Sequence, residues 1–156
     1  YSRPIFCPFE SRSRGFLRKL FFTWMIRICS EDLGKPKSKV VSIMGDGSFG
    51  LAVGELETAV RLNLPITFIV ISNSVYGWIK AGQKSGFEKR YYSVDFTRTD
   101  HAAVASAYGI KSWTVNESNQ LIKTIKESLK HNGPTLIDII SQPLQDARAP
   151  VSDWIA

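Results

Sequence analysis

Residues 39–50 read Lys-Val-Val-Ser-Ile-Met-Gly-Asp-Gly-Ser-Phe-Gly, and this stretch decides the fold. The β-branched run Lys39–Met44 predicts a buried strand, and the Gly-Asp-Gly at 45–47 predicts a tight turn into a helix. Where a strand passes through a glycine turn into a helix, backbone N–H groups and the helix dipole favour a phosphate. The stretch therefore predicts a phosphate-binding turn within an α/β fold.

The chain beyond this turn alternates between apolar strand patterns and helical patterns. We predict further strands over Ile66–Ile71, Lys111–Val115 and Thr135–Ile140. We predict helices from Leu51 to Leu62, over Trp78–Gln83, from an N-cap at Thr99 to a stop at Gly109, and around Leu121–Leu129, with a flexible loop between Gly82 and Arg98. Such alternation predicts an α/β domain with a three-layer, doubly wound parallel sheet and right-handed crossovers.

The net charge of +6 is confined to one part of the chain. Residues 1–39 hold nine of the 20 Lys and Arg but three of the 14 acids, whereas residues 40–156 hold eleven of each. We therefore divide the chain into an atypical basic N-terminal segment, 1–38, and a neutral domain, 39–156. Because the domain has no cationic stripe, we expect no nucleic-acid partner, although a nucleic-acid binder with a basic tail stays an alternative.

The N-terminal segment also holds both cysteines and the most apolar run. The run Leu20–Ile26 is far shorter than the roughly 20 residues that span a bilayer, so we expect no membrane insertion. Cys7 and Cys29 have no neighbouring histidine and form no metal or redox motif. We expect free thiols and a cytoplasmic protein.

The glycine turn matches the pattern Gly-x-Gly-x-x-Gly of dinucleotide-binding proteins, but its context does not. That fingerprint needs an acidic residue about 20 positions further on to hold a ribose hydroxyl. After Glu57 the next acid is Glu88. A nucleotide-triphosphatase loop is excluded because no Gly-Lys-Ser/Thr follows. The carboxylate of Asp46 would repel a bare diphosphate, and it becomes useful if a divalent cation lies between them.

A second oxygen ligand is predicted just after the second strand, at Asn73. Adjacent parallel strands end at the same edge of a sheet, so Asp46 and Asn73 can converge there although 27 positions separate them. Taken singly, Asp46 is better explained as a turn-forming residue and Asn73 as a left-handed turn residue. Taken together, their placement favours a magnesium site.

These residues resemble the signature of thiamine-diphosphate enzymes, a Gly-Asp-Gly followed after a crossover by an Asn pair. Further similarity to the acetolactate synthase and 2-oxoacid decarboxylase branch lies in Gly-Glu-Leu at 54–56, Asn-Leu-Pro at 63–65 and Tyr-Gly-Trp at 76–78. The resemblance covers about residues 36–141, the cofactor-diphosphate domain of such enzymes. It implies the thiamine-diphosphate-binding fold, with thiamine diphosphate and Mg²⁺ as cofactors.

The resemblance also implies a role for each site residue. Asp46 and Asn73 would be side-chain ligands of Mg²⁺, with the carbonyl of Val75 as a third ligand. The residues around the diphosphate would be Gly45, Gly47, Ser48, Phe49, Asn73, Val75, Tyr76 and Gly77. No catalytic residue is implied in this chain: we interpret Glu55 and Glu57 as structural, His101 as a helix-surface residue and His131 as a helix-end residue.

The family's activity implies a transferase or lyase acting on a 2-oxo acid such as pyruvate, by acetolactate synthesis or by decarboxylation. In the family the cofactor is activated by a glutamate from a separate pyrimidine-binding domain, for which 156 residues leave no room. The resemblance therefore implies a homo- or hetero-oligomer, or a missing part of this chain, and inactivity of the chain alone. A non-catalytic remnant or scaffold domain stays an alternative.

This sequence departs from the family pattern at two places. Ser72 replaces the first Asn of the pair, which matters little if only the second is a ligand. Residues 18–29 are bulky and basic where the family has a small-residue helix that shapes the cofactor pocket. We expect residues 1–33 to be a diverged, truncated or frameshifted counterpart, and the start at Tyr1 without Met is consistent with a fragment.

Overall fold

A computed structural model describes residues 39–143, and within that range the chain forms four strands and five helices. The strands are β1 (Val40–Gly45), β2 (Ile66–Ser72), β3 (Lys111–Val115) and β4 (Thr135–Ile140). The helices are α1 (Asp46–Gly50), α2 (Glu55–Arg61), α3 (Gly77–Gly86), α4 (His101–Ala107) and α5 (Ser118–Lys130). The four strands lie where the β-branched runs predict them.

All four strands are parallel, and they lie in the order β1-β2-β4-β3. The register pairs Gly45 with Ile71 and Ser72 with Ile140, so β1, β2 and β4 finish along one edge of the sheet. That edge carries the turn at Asp46 and the turn at Asn73. The predicted parallel α/β fold is confirmed.

Helices cover both faces of the sheet, which makes the three layers. On one face Phe68, Val70 and Leu136 of the strands pack with a cluster from α1, α2 and α4, represented by Phe49, Leu56 and Ala105. On the other face Ile69 and Ile137 pack against Leu121 and Ile125 of α5. Because both faces are buried, β2 and β4 are almost continuously apolar, as buried parallel strands are.

The predicted helix from Leu51 to Leu62 is wrong in its extent. The glycine turn itself forms α1, residues 51–54 form a turn, and α2 begins at Glu55. Gly50 precedes this turn and Gly54 ends it, and Leu51 is 67% exposed. The core contacts come instead from Leu56 and Ala59, which α2 supplies.

Two boundaries after β2 also differ from the prediction. The helix predicted to end at Gln83 continues to Gly86, so Gly82 lies inside α3 and the irregular segment begins at Phe87. The N-cap of α4 is Asp100 and not Thr99, because the carboxylate of Asp100 accepts a hydrogen bond of 2.9 Å from the backbone N–H of Ala103. The predicted stop at Gly109 is confirmed by its left-handed φ of 83°.

The basic segment 1–38 lies outside the described residues, as do Cys7, Cys29 and the apolar run Leu20–Ile26. Within residues 39–143, no helix combines the length and the apolar character that crossing a bilayer requires.

Candidate functional site

The site is organised around the carboxylate of Asp46, the first residue of α1. Asp46 is only 5% exposed. Its Oδ2 accepts hydrogen bonds from the backbone N–H of Asn73, at 2.9 Å, and of Ser74, at 2.7 Å, while its Oδ1 accepts one of 2.8 Å from Gly47. The structure thus brings together the two turns that follow β1 and β2.

The turn after β2 is shaped by its own side chain and by one left-handed residue. Oδ1 of Asn73 accepts a hydrogen bond of 3.2 Å from the backbone N–H of Val75, which is the pattern of an Asx turn. The left-handed residue is Ser74, with a φ of 57°, and not Asn73 as the turn interpretation suggested. A non-glycine residue is held in this region only where surrounding contacts stabilise it, and here the Asp46 carboxylate does so.

The chain leaving this turn is anchored by a short antiparallel contact. The backbone N–H of Tyr76 donates to the carbonyl of Val94 at 2.8 Å, and that of Phe96 donates to the carbonyl of Ser74 at 3.1 Å. Val75 lies between these two bonds, and among residues 39–143 no donor reaches its carbonyl. Val75 is itself buried, and the role of its carbonyl as a metal ligand stays a prediction.

The glycine turn is covered by the ring of Tyr76. A Cβ atom built on Gly47 would lie 2.4 Å from Cε1 of that ring, which no side chain tolerates. The ring in turn packs against Phe96, with 4.9 Å between centroids. Gly47 therefore has a packing reason to be glycine besides any approach to a phosphate. Around Gly45, by contrast, the space is open.

The remaining predicted site residues lie around the same edge in different environments. Ser48 is half-buried within α1, and Gly77 is the first residue of α3. The side chain of Phe49 is 1% exposed and belongs to the core, so only its backbone lies at the turn. Glu57 is at the surface, paired with Arg61 at 2.9 Å.

His101 is buried, so its prediction as a helix-surface residue is wrong. It is 7% exposed, and its ring meets that of Phe49 edge-on at 5.1 Å. Its position at the start of α4, directly below the glycine turn, depends on tertiary packing that helical spacing does not encode. His131 is the C-cap of α5, in agreement with its prediction as a helix-end residue.

Ser72 and Asp138 form a buried polar pair beside the site, and the sequence alone does not predict their contact. Asp138 of β4 is fully buried, and its carboxylate accepts a hydrogen bond from the hydroxyl of Ser72. The pattern Thr-Leu-Ile-Asp-Ile-Ile indicates a strand, but the partner of its aspartate depends on β4 lying beside β2.

Lys39 lies near the opposite end of the sheet. Its Nζ donates hydrogen bonds to the carbonyls of His131, at 2.6 Å, and Gly133, at 3.1 Å. Burial lowers the pKa of Lys39 from its ordinary value, because the charged form loses hydration. These bonds stabilise the carboxyl end of α5.

The oxygen atoms at the carboxyl edge form a set suited to a hard cation. Within residues 39–143 no group of three His, Cys, Asp or Glu side chains is placed to hold a metal ion. The edge instead offers one carboxylate, one amide oxygen and one backbone carbonyl, from Asp46, Asn73 and Val75. Oxygen donors of this kind are what Mg²⁺ prefers.

The fold and this edge define a doubly wound α/β domain with a glycine turn and an asparagine turn at neighbouring strand ends. Residues 26–139 match the family model described as thiamine pyrophosphate enzyme, C-terminal TPP binding domain. The chain belongs to this family. The match begins at residue 26, inside the basic segment 1–38. The resemblance described from the sequence motifs begins about ten residues later, at residue 36.

Curated relatives of the chain include acetolactate synthases. The chain is 37% identical over 107 residues to acetolactate synthase of Bacillus subtilis, covering 69% of this chain and 19% of that one. It is 29% identical over 124 residues to the mitochondrial acetolactate synthase catalytic subunit of Saccharomyces cerevisiae, covering 80% of this chain and 18% of that one. The chain thus spans about a fifth of the length of these curated relatives.

Solved structures agree with this assignment. The crystal structure of benzoylformate decarboxylase from Polynucleobacter necessarius superposes with a TM-score of 0.67 at 27% identity, over 72% of this chain and 21% of that one. An X-ray structure of a protein from Mycobacterium smegmatis, at 24% identity and a TM-score of 0.65, shares the fold.

Proposed function

We propose that this chain is the Mg²⁺- and thiamine-diphosphate-anchoring part of an acetolactate synthase-like enzyme that acts on 2-oxo acids such as pyruvate. The observation that carries the proposal is the contact between the Asp46 carboxylate and the turn at Asn73. This contact gathers oxygen donors at the carboxyl edge of a parallel sheet, where α/β proteins bind their ligands. The family match supports the cofactor class.

The residues at this edge fit a magnesium ion. Asp46 keeps about one acceptor position, on Oδ1, because a carboxylate has about four such positions and three backbone donors occupy the others. The amide oxygen of Asn73 lies in the same turn, and the carbonyl of Val75 has no donor among residues 39–143. We assign Asp46, Asn73 and Val75 as the protein ligands of Mg²⁺, with waters and diphosphate oxygens completing the shell.

The glycine turn and the start of α3 fit the diphosphate. Backbone N–H groups around Gly47 and the hydroxyl of Ser48 are the proposed donors, and the N-terminal turn of α3 at Gly77 adds the positive end of a helix dipole. The ring of Tyr76 lies against Gly47. Thiamine diphosphate, when bound, supplies the electron sink for the chemistry of 2-oxo acids.

The surface beside the site supports a partner domain. Trp78 and Ile79, in the first turn of α3, are 82% and 55% exposed, and Tyr92 in the following segment is 83% exposed. Exposed side chains of this size, where they form a contiguous patch, mark interaction surfaces. Since the chain spans about a fifth of its curated relatives, we propose that a pyrimidine-binding domain, in another chain or elsewhere in a longer protein, covers this surface and is needed for activity.

Calorimetric titration of the chain with thiamine diphosphate, with and without Mg²⁺, tests the proposal. We expect binding that requires Mg²⁺ and is lost in Asp46→Ala. Asp95→Ala is the matched control, because it removes a nearby exposed carboxylate whose partner is Lys80. Equal binding by wild type and Asp46→Ala would reject the ligand assignment, and absence of Mg²⁺-dependent binding in wild type would favour a non-catalytic scaffold.

A decarboxylase is the second candidate, favoured by the similarity to the benzoylformate decarboxylase structure. The two reactions are separated by adding pyruvate to this chain together with a polypeptide that supplies a pyrimidine-binding domain. Formation of acetolactate would support the first candidate. Carbon dioxide release with acetaldehyde as the organic product would support the second.

A further inference from the structure

Asp138 is a fully buried acidic residue that the proposed cofactor site does not use. It occupies the fourth position of β4, among Thr, Leu and three Ile residues. One carboxylate oxygen accepts the hydroxyl of Ser72 at 2.5 Å, and the other accepts the backbone N–H of His101 at 3.3 Å. A carboxylate buried in an apolar sheet is costly unless such bonds compensate for its lost hydration.

The partner of Asp138 stands directly before the site. Ser72 is the last residue of β2, it is 3% exposed, and its carbonyl accepts a hydrogen bond of 2.9 Å from the backbone N–H of Ser141. The next two residues, Asn73 and Ser74, donate their backbone N–H groups to Asp46. A displacement of Ser72 would therefore move both donors away from the Asp46 carboxylate.

A second buried polar cluster joins β2 and β4 without any charge. The hydroxyls of Thr67, Ser128 and Thr135 lie 2.7–3.0 Å from one another and are all fully buried. Thr67 is five residues before Ser72, which places this cluster roughly 16 Å away along the strand. Neutral hydroxyls thus connect the same elements far from the site, whereas the charged group lies at the end that carries the asparagine turn.

We propose that Asp138 is a positioning residue that acts through Ser72. Its charge-assisted hydrogen bond fixes the end of β2, so that Asn73 and Ser74 stay in place against Asp46 before any ligand binds. The bond to His101 ties the same carboxylate to the start of α4, which packs under the glycine turn through Phe49. The consequence for cofactor affinity rests on the proposed function, whereas the consequence for the turn does not.

The test compares Ser72→Ala, Asp138→Asn and the double variant in the full chain. Asp138→Asn keeps the size but presents an NH₂ group to one of the two donors, and Ser72→Ala removes the link. The first readout is amide hydrogen exchange at Asn73 and Ser74 without ligand, which we expect to accelerate about tenfold or more. The second is calorimetry with Mg²⁺ and thiamine diphosphate, where we expect affinity to fall about tenfold, or 1.4 kcal/mol.

Ser128→Ala is the matched control, because it removes a buried hydroxyl from the distant cluster. We expect it to lower global stability without changing exchange at Asn73 and Ser74 or the affinity. The double variant should be no worse than the more affected single variant, since both substitutions disrupt the same hydrogen bond between Ser72 and Asp138. If Asp138→Asn does not fold, Ser72→Ala alone decides the result.

Unchanged exchange at Asn73 and Ser74 in Ser72→Ala would overturn the proposal, and so would equal acceleration in Ser128→Ala. Accelerated exchange with wild-type affinity would overturn its consequence for the cofactor. Failure of the wild-type chain to bind the cofactor would instead reject the proposed function, and the exchange data would still decide the role of Asp138.

Discussion

The ring of Tyr76 lies so close to Gly47 that the two residues cannot vary independently. A methyl group on Gly47 would come within 2.4 Å of Cε1 of Tyr76. The second glycine of the predicted phosphate turn and the aromatic residue that precedes α3 therefore form one packing unit, although they come from turns after different strands.

Replacing Gly47 should expose this coupling. In a helix, Gly→Ala is ordinarily stabilising by about 1 kcal/mol. Here we expect Gly47→Ala to lower the free energy of unfolding by about 1–2 kcal/mol, because the Tyr76 ring must leave its place against Phe96. In a Tyr76→Ala background the same change should be neutral or stabilising. Urea denaturation of the four proteins measures the coupling, and an equal loss in both backgrounds would contradict it.

The N-cap of α4 offers a test between two adjacent residues. Asp100→Ala should lower the free energy of unfolding by about 1 kcal/mol, because the backbone N–H of Ala103 loses its acceptor. Thr99→Ala is the matched control and should change stability by less than about 0.5 kcal/mol. Thermal and urea unfolding of both variants would decide, and a larger effect at Thr99 would show that the cap lies one residue earlier.

Stability should depend on pH through Lys39. Because burial lowers its pKa in the folded state, the unfolded chain binds this proton more tightly. The free energy of unfolding should therefore rise with pH through the folded-state pKa, up to about the ordinary value of 10.4. Lys39→Gln replaces the ammonium group by an uncharged amide donor that does not titrate.

The difference between wild type and Lys39→Gln isolates this contribution from other titrating groups. Urea midpoints measured from pH 8 to pH 10.5 should increase for wild type relative to the variant. Parallel profiles for the two proteins would show that Lys39 titrates alike in the folded and unfolded states.

The local sequence is sufficient to predict where the strands lie, but it does not predict which strands pair with each other. Runs such as Ile66–Ile71 are β-branched and apolar, so each strand is recognisable alone. The insertion of β4 between β2 and β3 is a long-range property, and the contacts of Asp138 with Ser72 and His101 depend on it. The burial of His101 depends on such long-range contacts, and local helical spacing does not encode them.

At the site, the proximity of Asp46 to Asn73 follows from the strand topology, whereas the backbone conformation and side-chain packing around them do not. Parallel neighbouring strands place both turns at one edge, so the proximity was predictable from strand ends. The left-handed conformation at Ser74 and the contact of Tyr76 with Gly47 depend on how α3 leaves the turn. Glycine is also an unreliable marker of helix ends here: the sequence predicts a loop from Gly82, but Gly82 lies inside α3.

The position of β4 has a consequence for how the chain acquires its structure. β2 and β3 form no hydrogen bonds with each other, and β4 pairs with both. During synthesis, β3 has no strand of 39–143 to join until Thr135–Ile140 has left the ribosome. Within residues 39–143, β4 is then the last strand to join the sheet, and it also delivers Asp138. Such non-local pairing slows folding, so a polypeptide interrupted before residue 134 would be exposed to aggregation and proteolysis.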